Sequence, residues 1–333
     1  MSSPTLDERT VTSLVADAIA APSMHNAQPW RFHFAPRSRT FTLFADLDRA
    51  MPHTDPTTRG LHVGCAAALL NLRVAVTHHG WQPTTTLLPD PGTPHLLATV
   101  RLAPAPPEGR PGPAAELGDL HPAIHDRHTS RSPFADQKMP PYLRDALVQA
   151  ARHEGAALTF PAEQHLGNVL DLIRDAEGYN RMDDDRDAET RRWTRDSKTD
   201  APSDGIPDYA FGPRRGGGAA ATRDFAGRST LPGRPVANFE GHPQLALLST
   251  EGDEPADWLH AGQALERVLL LATRRGLVAA FATQALEWPD LRWLLREPVS
   301  GTGHVQMVIR LGYGPRGPRT PRRPVRDVLT IGD

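Results

Sequence analysis

Ala21-Pro22-Ser23-Met24-His25-Asn26-Ala27-Gln28-Pro29-Trp30 is the stretch from which the rest of the chain is read. Before it, Val11, Leu14, Val15, Ala18 and Ile19 recur at helical spacing, opened by Thr5-Leu6-Asp7-Glu8, which has the spacing of a helix capping box. After it, Arg31 to Phe34 and Thr40 to Phe44 read as two strands of a hairpin turning at Pro36-Arg37-Ser38. The stretch therefore connects a helix, expected to run into Pro22, to a strand. Pro22 and Pro29 restrain its backbone at both ends, which favours a preformed surface. Much later comes Arg127-His128-Thr129-Ser130-Arg131, followed by Pro133-Phe134, a short run rich in guanidinium and hydroxyl donors.

Between and beyond these segments the chain repeats itself. A second helix is expected from about Gly64 to His79, ending at Gly80, and its apolar residues go most of the way round, as in a central buried helix. Leu61-His62-Val63-Gly64 matches Leu259-His260-Ala261-Gly262, each opening a helix that closes at Gly80 or Gly276. The strand His95 to Leu102 matches His304 to Leu311 at identical spacing. Leu143, Ala146, Leu147, Ala150 and Ala151 correspond to the first helix, and Leu166, Val169, Leu170 and Ile173 mark the next. From Ala103 to Gly118 five prolines interrupt any apolar period, as in an extended linker. The expected organisation is an N-terminal half over 1–110 and a C-terminal half over 119–333. The offset between matched positions grows along the chain, which places an insertion in the second half at about 183–239. Its aromatic residues Trp193, Tyr209 and Phe211 favour a lid over a solvated excursion.

With 333 residues, 39% hydrophobic and 23% charged, the chain has the balance of a soluble globular protein of two ordinary units. A net charge of -2 gives no electrostatic reason for a nucleic-acid partner. Arg316, Arg319, Arg322, Arg323 and Arg326 cluster near the C-terminus and are for the most part expected in a solvated tail. Cys65, the single cysteine, excludes an intrachain disulfide and is expected as a buried core thiol. Met1-Ser2-Ser3-Pro4-Thr5 lacks a basic patch before an apolar stretch, and no later run is read as long enough to span a bilayer. A cytoplasmic protein without membrane contact is expected.

The two quoted segments resemble the FMN-dependent nitroreductases, in which an R-R-S-x-R segment precedes an A-P-S-x-x-N-x-Q-P-W segment. Here their order is reversed. Members of that family are usually homodimers whose FMN lies at the subunit interface, touched by one segment from each copy. A fused pair of copies would build a complete site from one segment in each half, with one FMN per chain. Asp46-Leu47-Asp48-Arg49, Asp55-Pro56-Thr57-Thr58-Arg59 and Gly64-Cys65-Ala66-Ala67-Ala68-Leu69 carry a closer resemblance to the Acg-like branch, whose members resemble a fused dimer with a lid over the flavin. The implied fold is α+β, with two duplicated halves, each a sheet packed by helices, forming an intramolecular pseudo-dimer and hence a monomer.

The resemblance also implies roles. Arg127 and Arg131, with Thr129 as a further donor, correspond to the phosphate-binding segment, since a guanidinium fork donates paired bonds to phosphate oxygens. His128 stands where the family has its second arginine. Arg322, two before Pro324, matches a late phosphate-binding arginine, with Arg323 close behind. Ser23, Met24, His25 and Asn26 would lie near the ribityl chain and ring edge, while Gln28 and Trp30 fix the exit of their loop into the strand. A backbone amide of Ala282, Thr283 or Gln284 would face the reactive ring nitrogen. The expected activity is electron transfer from NAD(P)H to a nitroaromatic or quinone-like acceptor by a ping-pong route, with no catalytic side chain, since the cofactor carries the chemistry. The alternative is a protein that sequesters FMN beneath its lid.

Other sites read poorly. His121 and His125 are four apart, but Pro122 intervenes and no third ligand is evident, so no metal is expected. Gly216-Gly217-Gly218 is followed by no Lys-Ser/Thr, and Ser23 with His25 has neither an orienting acid nor an elbow motif.

Overall fold

In the computed structural model, which describes residues 6–104, 113–198, 202–220, 222–227, 231–297 and 303–333, helix α1 (Glu8–Ala18) buries Val11, Leu14, Val15 and Ala18. Its cap is Asp7, whose carboxylate accepts from Thr10 N at 2.8 Å; Thr5 lies outside the described residues. The helix stops short of Pro22. Tight bonds from Ala20 N to Asp17 O and from Ala21 N to Ala18 O close its end, leaving the carbonyls of Ile19, Ala20 and Ala21 free to receive side chains.

Strands β1 (Trp30–Ala35) and β2 (Thr40–Ala45) form the expected hairpin, paired from Trp30↔Ala45 to Ala35↔Thr40. Helix α2 (Arg59–His78) begins before Gly64 because the Asp55 carboxylate accepts from Gly60 N and Leu61 N at 2.9 Å, an anion at a helix N-terminus. Strand β3 (Trp81–Leu87), which the sequence reading did not single out, pairs with β4 (Leu96–Pro104) at the sheet edge, where Pro83 is tolerated. The expected extended linker is instead helical at its end, as α3 (Pro113–Gly118). Proline at the first helical position followed by alanines and glutamate explains this. Residues 105–112 of that linker lie outside the described residues.

Helix α4 (Pro141–Arg152) leads to β5 (Ala157–Thr159), after which the chain leaves its sheet for α5 (Glu163–Met182) and α6 (Asp184–Arg192). The short pairs β6 (Thr194–Arg195) with β7 (Ile206–Pro207), and β8 (Arg214–Gly217) with β9 (Val236–Asn238), follow. Strand β10 (Gln244–Thr250), helix α7 (Pro255–Arg274), β11 (Val278–Phe281), α8 (Pro289–Leu294), β12 (His304–Gly312) and β13 (Leu329–Ile331) complete the chain. The stretch 183–239 is thus the distal part of a longer excursion between β5 and β10.

The two main sheets have the orders β13-β1-β2-β4-β3 and β11-β12-β10-β5. Taken from its other end, the second runs β5-β10-β12-β11, the same succession of antiparallel neighbours as β1-β2-β4-β3. Each carries a register shift at a corresponding place, Leu43/Phe44 in one and Leu248/Ser249 in the other. β13 pairs parallel with β1, so the C-terminal segment crosses from the second sheet to the first. Between the sheets α2 and α7 approach so closely that a Cβ on Gly262 would lie 2.3 Å from Val63 O. Leu259 of α7 belongs to the core of the first sheet and Val63 of α2 to that of the second.

Contrary to the sequence reading, one described helix, α2, is long and apolar enough to cross a bilayer. Its apolar windings face α7, α1 and the first sheet, and 83% of the relevant window is buried inside the protein. Its apolarity is that of a central core helix, as its all-round pattern predicts. Cys65, on the same helix, is fully buried, donates to Pro29 O at 3.0 Å, and has its thiol pushed well up by burial.

Candidate functional site

The loop between Pro22 and Pro29 holds three non-glycine residues in the left-handed region, His25 (φ 47°), Asn26 (φ 56°) and Gln28 (φ 54°). Such residues cost of order 1–3 kcal/mol each and persist where surrounding bonds overdetermine them. Those bonds are present. Ser23 Oγ accepts from Gln28 N at 2.9 Å, and the Asn26 amide donates to Gly205 O at 2.9 Å and Pro321 O at 3.0 Å. Fully buried Gln28 donates to Ser203 O at 2.8 Å and accepts from Arg323 N at 2.8 Å. Ser23, Met24, His25 and Asn26 are thereby presented to one cavity.

The Arg127–Arg131 segment runs beside β11. Thr129 bridges to Ala279, Ser130 N donates to Ala279 O at 2.8 Å, and Ser130 Oγ donates to Pro315 O at 2.7 Å. Gly317 is required by this packing, since a Cβ there would lie 2.0 Å from Thr129 O. Arg127, His128, Thr129, Arg131 and Arg322 line the same cavity as Ser23 to Asn26. The C-terminal arginines therefore part ways. Arg316 and Arg326 are exposed, whereas Arg322 donates from Nε to Ile19 O (2.8 Å) and from Nη1 to Asn26 Oδ1 (2.9 Å). Arg127 and Arg322 also share one acceptor, Ala20 O, at 3.2 and 3.0 Å.

Charge at this end is poorly balanced. The facing carboxylate is that of fully buried Glu266 of α7, 3.5 Å from Arg127 Nε. Burial pushes Glu266 up to about 7 against the pull of Arg127, so it neutralises only part of the two guanidiniums. Burial and the Arg127 charge together lower Arg322 to about 9. His128 is driven down to about 4 by burial and by Arg127, and is neutral at physiological pH. Arg127 Nε has no hydrogen-bond partner among the described residues.

Arg131 keeps different company. Its Nη1 donates to Ala210 O at 3.0 Å, its guanidinium lies 4.9 Å from the Phe225 ring centre, and burial with the neighbouring Arg223 lowers it to about 10. Arg223 of the excursion reaches His25 Nε2 at 2.9 Å and forms an ion pair with the buried carboxylate of Glu287. Phe225 meets the His25 ring edge-on at 5.5 Å. Burial lowers His25 well below its usual range, which keeps it a neutral acceptor for Arg223. Ile206, Thr222, Arg223 and Phe225 thus form the wall that the excursion contributes. Among its aromatic residues, Trp193 and Phe211 are buried, and Tyr209 is exposed with its hydroxyl donating to Arg319 O at 3.0 Å.

The structure brings together Ser23, Met24, His25, Asn26, Arg127, Thr129, Arg131, Thr283 and Arg322, but not Ala282 or Gln284. The Ala282 amide is already donated to Val308 O at 3.0 Å, and the Gln284 side chain turns to Glu177. Both are buried, which leaves Thr283 alone of the three at the cavity. Arg131 stands with Arg223 rather than with Arg127 and Arg322, so the arginines form two groups where the sequence implied one. Arg59, Arg223, Phe225, Glu287 and Met307 also line the cavity and were not foreseen. Arg59 lies in the quoted Asp55–Arg59 stretch, from which it was recoverable. Arg223 and Phe225 carry no local signal.

No family model matches the chain. Among curated proteins, one from Mycobacterium tuberculosis H37Rv, named provisionally as an NAD(P)H nitroreductase, is 30% identical over 310 residues, covering 93% of this chain and 86% of that protein. This chain belongs to the nitroreductase family, on its Acg-like branch. An uncharacterised M. tuberculosis protein is 31% identical over 302 residues, with 90% and 85% coverage. The M. tuberculosis protein acg, also provisionally an NAD(P)H nitroreductase, is 29% identical over 308 residues, with 92% and 89% coverage. Solved structures are more distant from this nitroreductase-family chain. A protein of Anabaena variabilis, provisionally named a nitroreductase, gives a TM-score of 0.44 at 12% identity, covering 93% of this chain and 90% of that one. A Bacteroides fragilis nitroreductase with bound FMN gives 0.38 at 16%, covering 62% and 93%.

Proposed function

We propose that the protein is an FMN-dependent oxidoreductase that passes electrons from NAD(P)H to nitroaromatic or quinone-like acceptors. The observation that carries this reading is the Ala20 carbonyl shared by Arg127 and Arg322 in a cavity whose other walls include Val63, Leu265, Phe281 and Met307. Two buried guanidiniums facing one partly titrated carboxylate call for an anion, and apolar walls call for a flat, apolar body. A phosphate, which carries about -1.5 to -2 charges at neutral pH, joined to such a body meets both demands. The provisional nitroreductase names of the mycobacterial relatives support the same choice.

On this reading Arg127, Thr129 and Arg322 hold the phosphate, and Ser23 to Asn26, from the other half, line the ribityl chain. Thr283 serves the ring edge, and Arg131 supplies positive charge at the lid end. When bound, FMN supplies the redox chemistry, accepting hydride and releasing electrons. The residues position it and exclude water, and no acid or nucleophile is required of them. One cavity must admit donor and acceptor in turn, so turnover is ping-pong. The halves 1–110 and 119–333 act as two fused copies with one site between them, in a monomeric, cytoplasmic protein.

A second reading is favoured by the ion pair Arg223–Glu287 and the contacts of Arg223 and Phe225 with His25, which close the cavity on the side of the excursion. If 183–239 stays shut as a lid, the protein sequesters FMN and excludes the nicotinamide. Mixing the flavin-loaded protein with NADPH under anaerobic conditions separates the two. Rapid bleaching of the yellow colour is the expected result, persistent colour assigns sequestration, and failure to take up added FMN overturns both.

A further inference from the structure

Outside the cavity, one aspartate and four histidines meet where α1, the end of α2 and the turn at His121–Ala123 come together. Asp17 is buried. Its Oδ2 accepts from His121 Nε2 at 2.9 Å and its Oδ1 from His125 Nε2 at 2.6 Å. The His78 and His121 rings stack face to face, with centres 4.0 Å apart and planes within 1° of parallel, and His79 stands edge-on to both. One oxygen of Asp17 and one ring nitrogen each of His79 and His121 lie within 4.8 Å of one another.

We propose that Asp17, His79 and His121 form a binding site for a divalent transition-metal ion of the zinc class. Two ligands of a tetrahedral zinc, each about 2.0–2.1 Å from the ion, stand roughly 3.3 Å apart. The Asp17 and His121 donor atoms are already near that spacing, held by a proton that an ion replaces with a small outward shift. His79, exposed at the helix end, turns in as the third ligand, and water completes the shell. The neighbours act as an outer layer. His125 orients the second Asp17 oxygen, and His78 fixes the plane of His121. A carboxylate merely satisfied by two histidines accounts for His121 and His125, but not for the third imidazole within reach or the stacked fourth. The sequence offered no third ligand for His121 because Asp17 and His79 are remote from it along the chain.

The ion would brace the phosphate end of the cavity, since Asp17 closes the same turn that presents Ala20 O, and His121 precedes Arg127 on one short segment. The test uses the full chain, stripped with chelator and titrated with Co2+ while visible ligand-field bands are followed. One Co2+ per chain, displaced by Zn2+ and accompanied by proton release, is expected. His79→Ala, a change at an exposed position, should weaken binding roughly a hundredfold or more, and His125→Ala about ten- to a hundredfold. His79→Ala that keeps its circular dichroism spectrum and binds Co2+ as the parent does, or a parent that binds none, overturns the assignment. Neither readout depends on flavin.

Discussion

Two guanidiniums donating to one carbonyl are not an arrangement that burial alone favours, because each brings a charge that water would otherwise solvate. On the proposed reading, Arg127 and Arg322 are therefore where ligand affinity is concentrated. Arg127→Ala or Arg322→Ala should each raise the FMN dissociation constant about ten- to a hundredfold, the cost of a charged hydrogen bond of roughly 1.5–3 kcal/mol. Fluorescence titration measures it, and unchanged affinity would remove both from the site. Glu266 sets the pH dependence. Its carboxyl is raised from 4.5 to about 7, so the folded state holds a proton there that the unfolded state has lost. Its contribution to stability is full below about 4.5 and disappears as pH rises through about 7. On the proposed reading, the same ionisation puts a negative charge near the phosphate that Arg127 holds. FMN affinity should fall as pH rises through about 7, and Glu266→Gln should flatten that dependence. At this scale the sequence was most legible where residues are neighbours in the chain: the resemblance singled out Ser23 to Asn26 and Arg127 to Arg131 as two short segments, and residues of both line one cavity. Glu287 and Arg223 reach the cavity, and Glu266 reaches Arg127 behind it, through tertiary packing, which no local pattern encodes.

At the scale of elements, the excursion between β5 and β10 and the helix pair make separate predictions. The ion pair of Arg223 with Glu287 and its bond to His25 join the excursion to both walls of the cavity. Arg223→Ala should raise the open fraction about ten- to a hundredfold, seen as faster anaerobic bleaching by NADPH. An unchanged rate would mean that this contact does not gate access. Burial raises the Glu287 carboxyl, so acid should weaken the same latch. Gly262→Ala forces a methyl group against Val63 O in the α2–α7 contact. Overpacking of this kind costs typically 1–3 kcal/mol, and a Tm indistinguishable from the parent would show that the helices can separate freely. Helices with long apolar periods were readable, α2 and α7 above all. β3 was missed because Pro83 and its run of threonines disguise an edge strand, and α3 because the prolines around it dominate the composition.

The whole molecule is crossed by its own C-terminal segment. After β12 the chain passes Thr129 at Gly317 and the cavity at Arg322, then joins the first sheet as β13. That path explains why Arg322, Arg323 and their neighbours do not all form a solvated tail. It also makes the cavity a product of both halves of the chain: the Pro22–Asn26 loop and the start of α2 supply one side, and α7, β11 and Arg127 to Arg131 the other. The reversed order of the two motifs is what a fused pair of copies would account for, and the two sheets share one succession of antiparallel neighbours. The fused-pair reading is that both segments, within one polypeptide, hold one flavin. It is tested most directly by measuring bound FMN per chain on the species whose mass light scattering fixes during gel filtration. One FMN on a monomer is the predicted result; FMN bound only by a dimer, or two per chain, would contradict it.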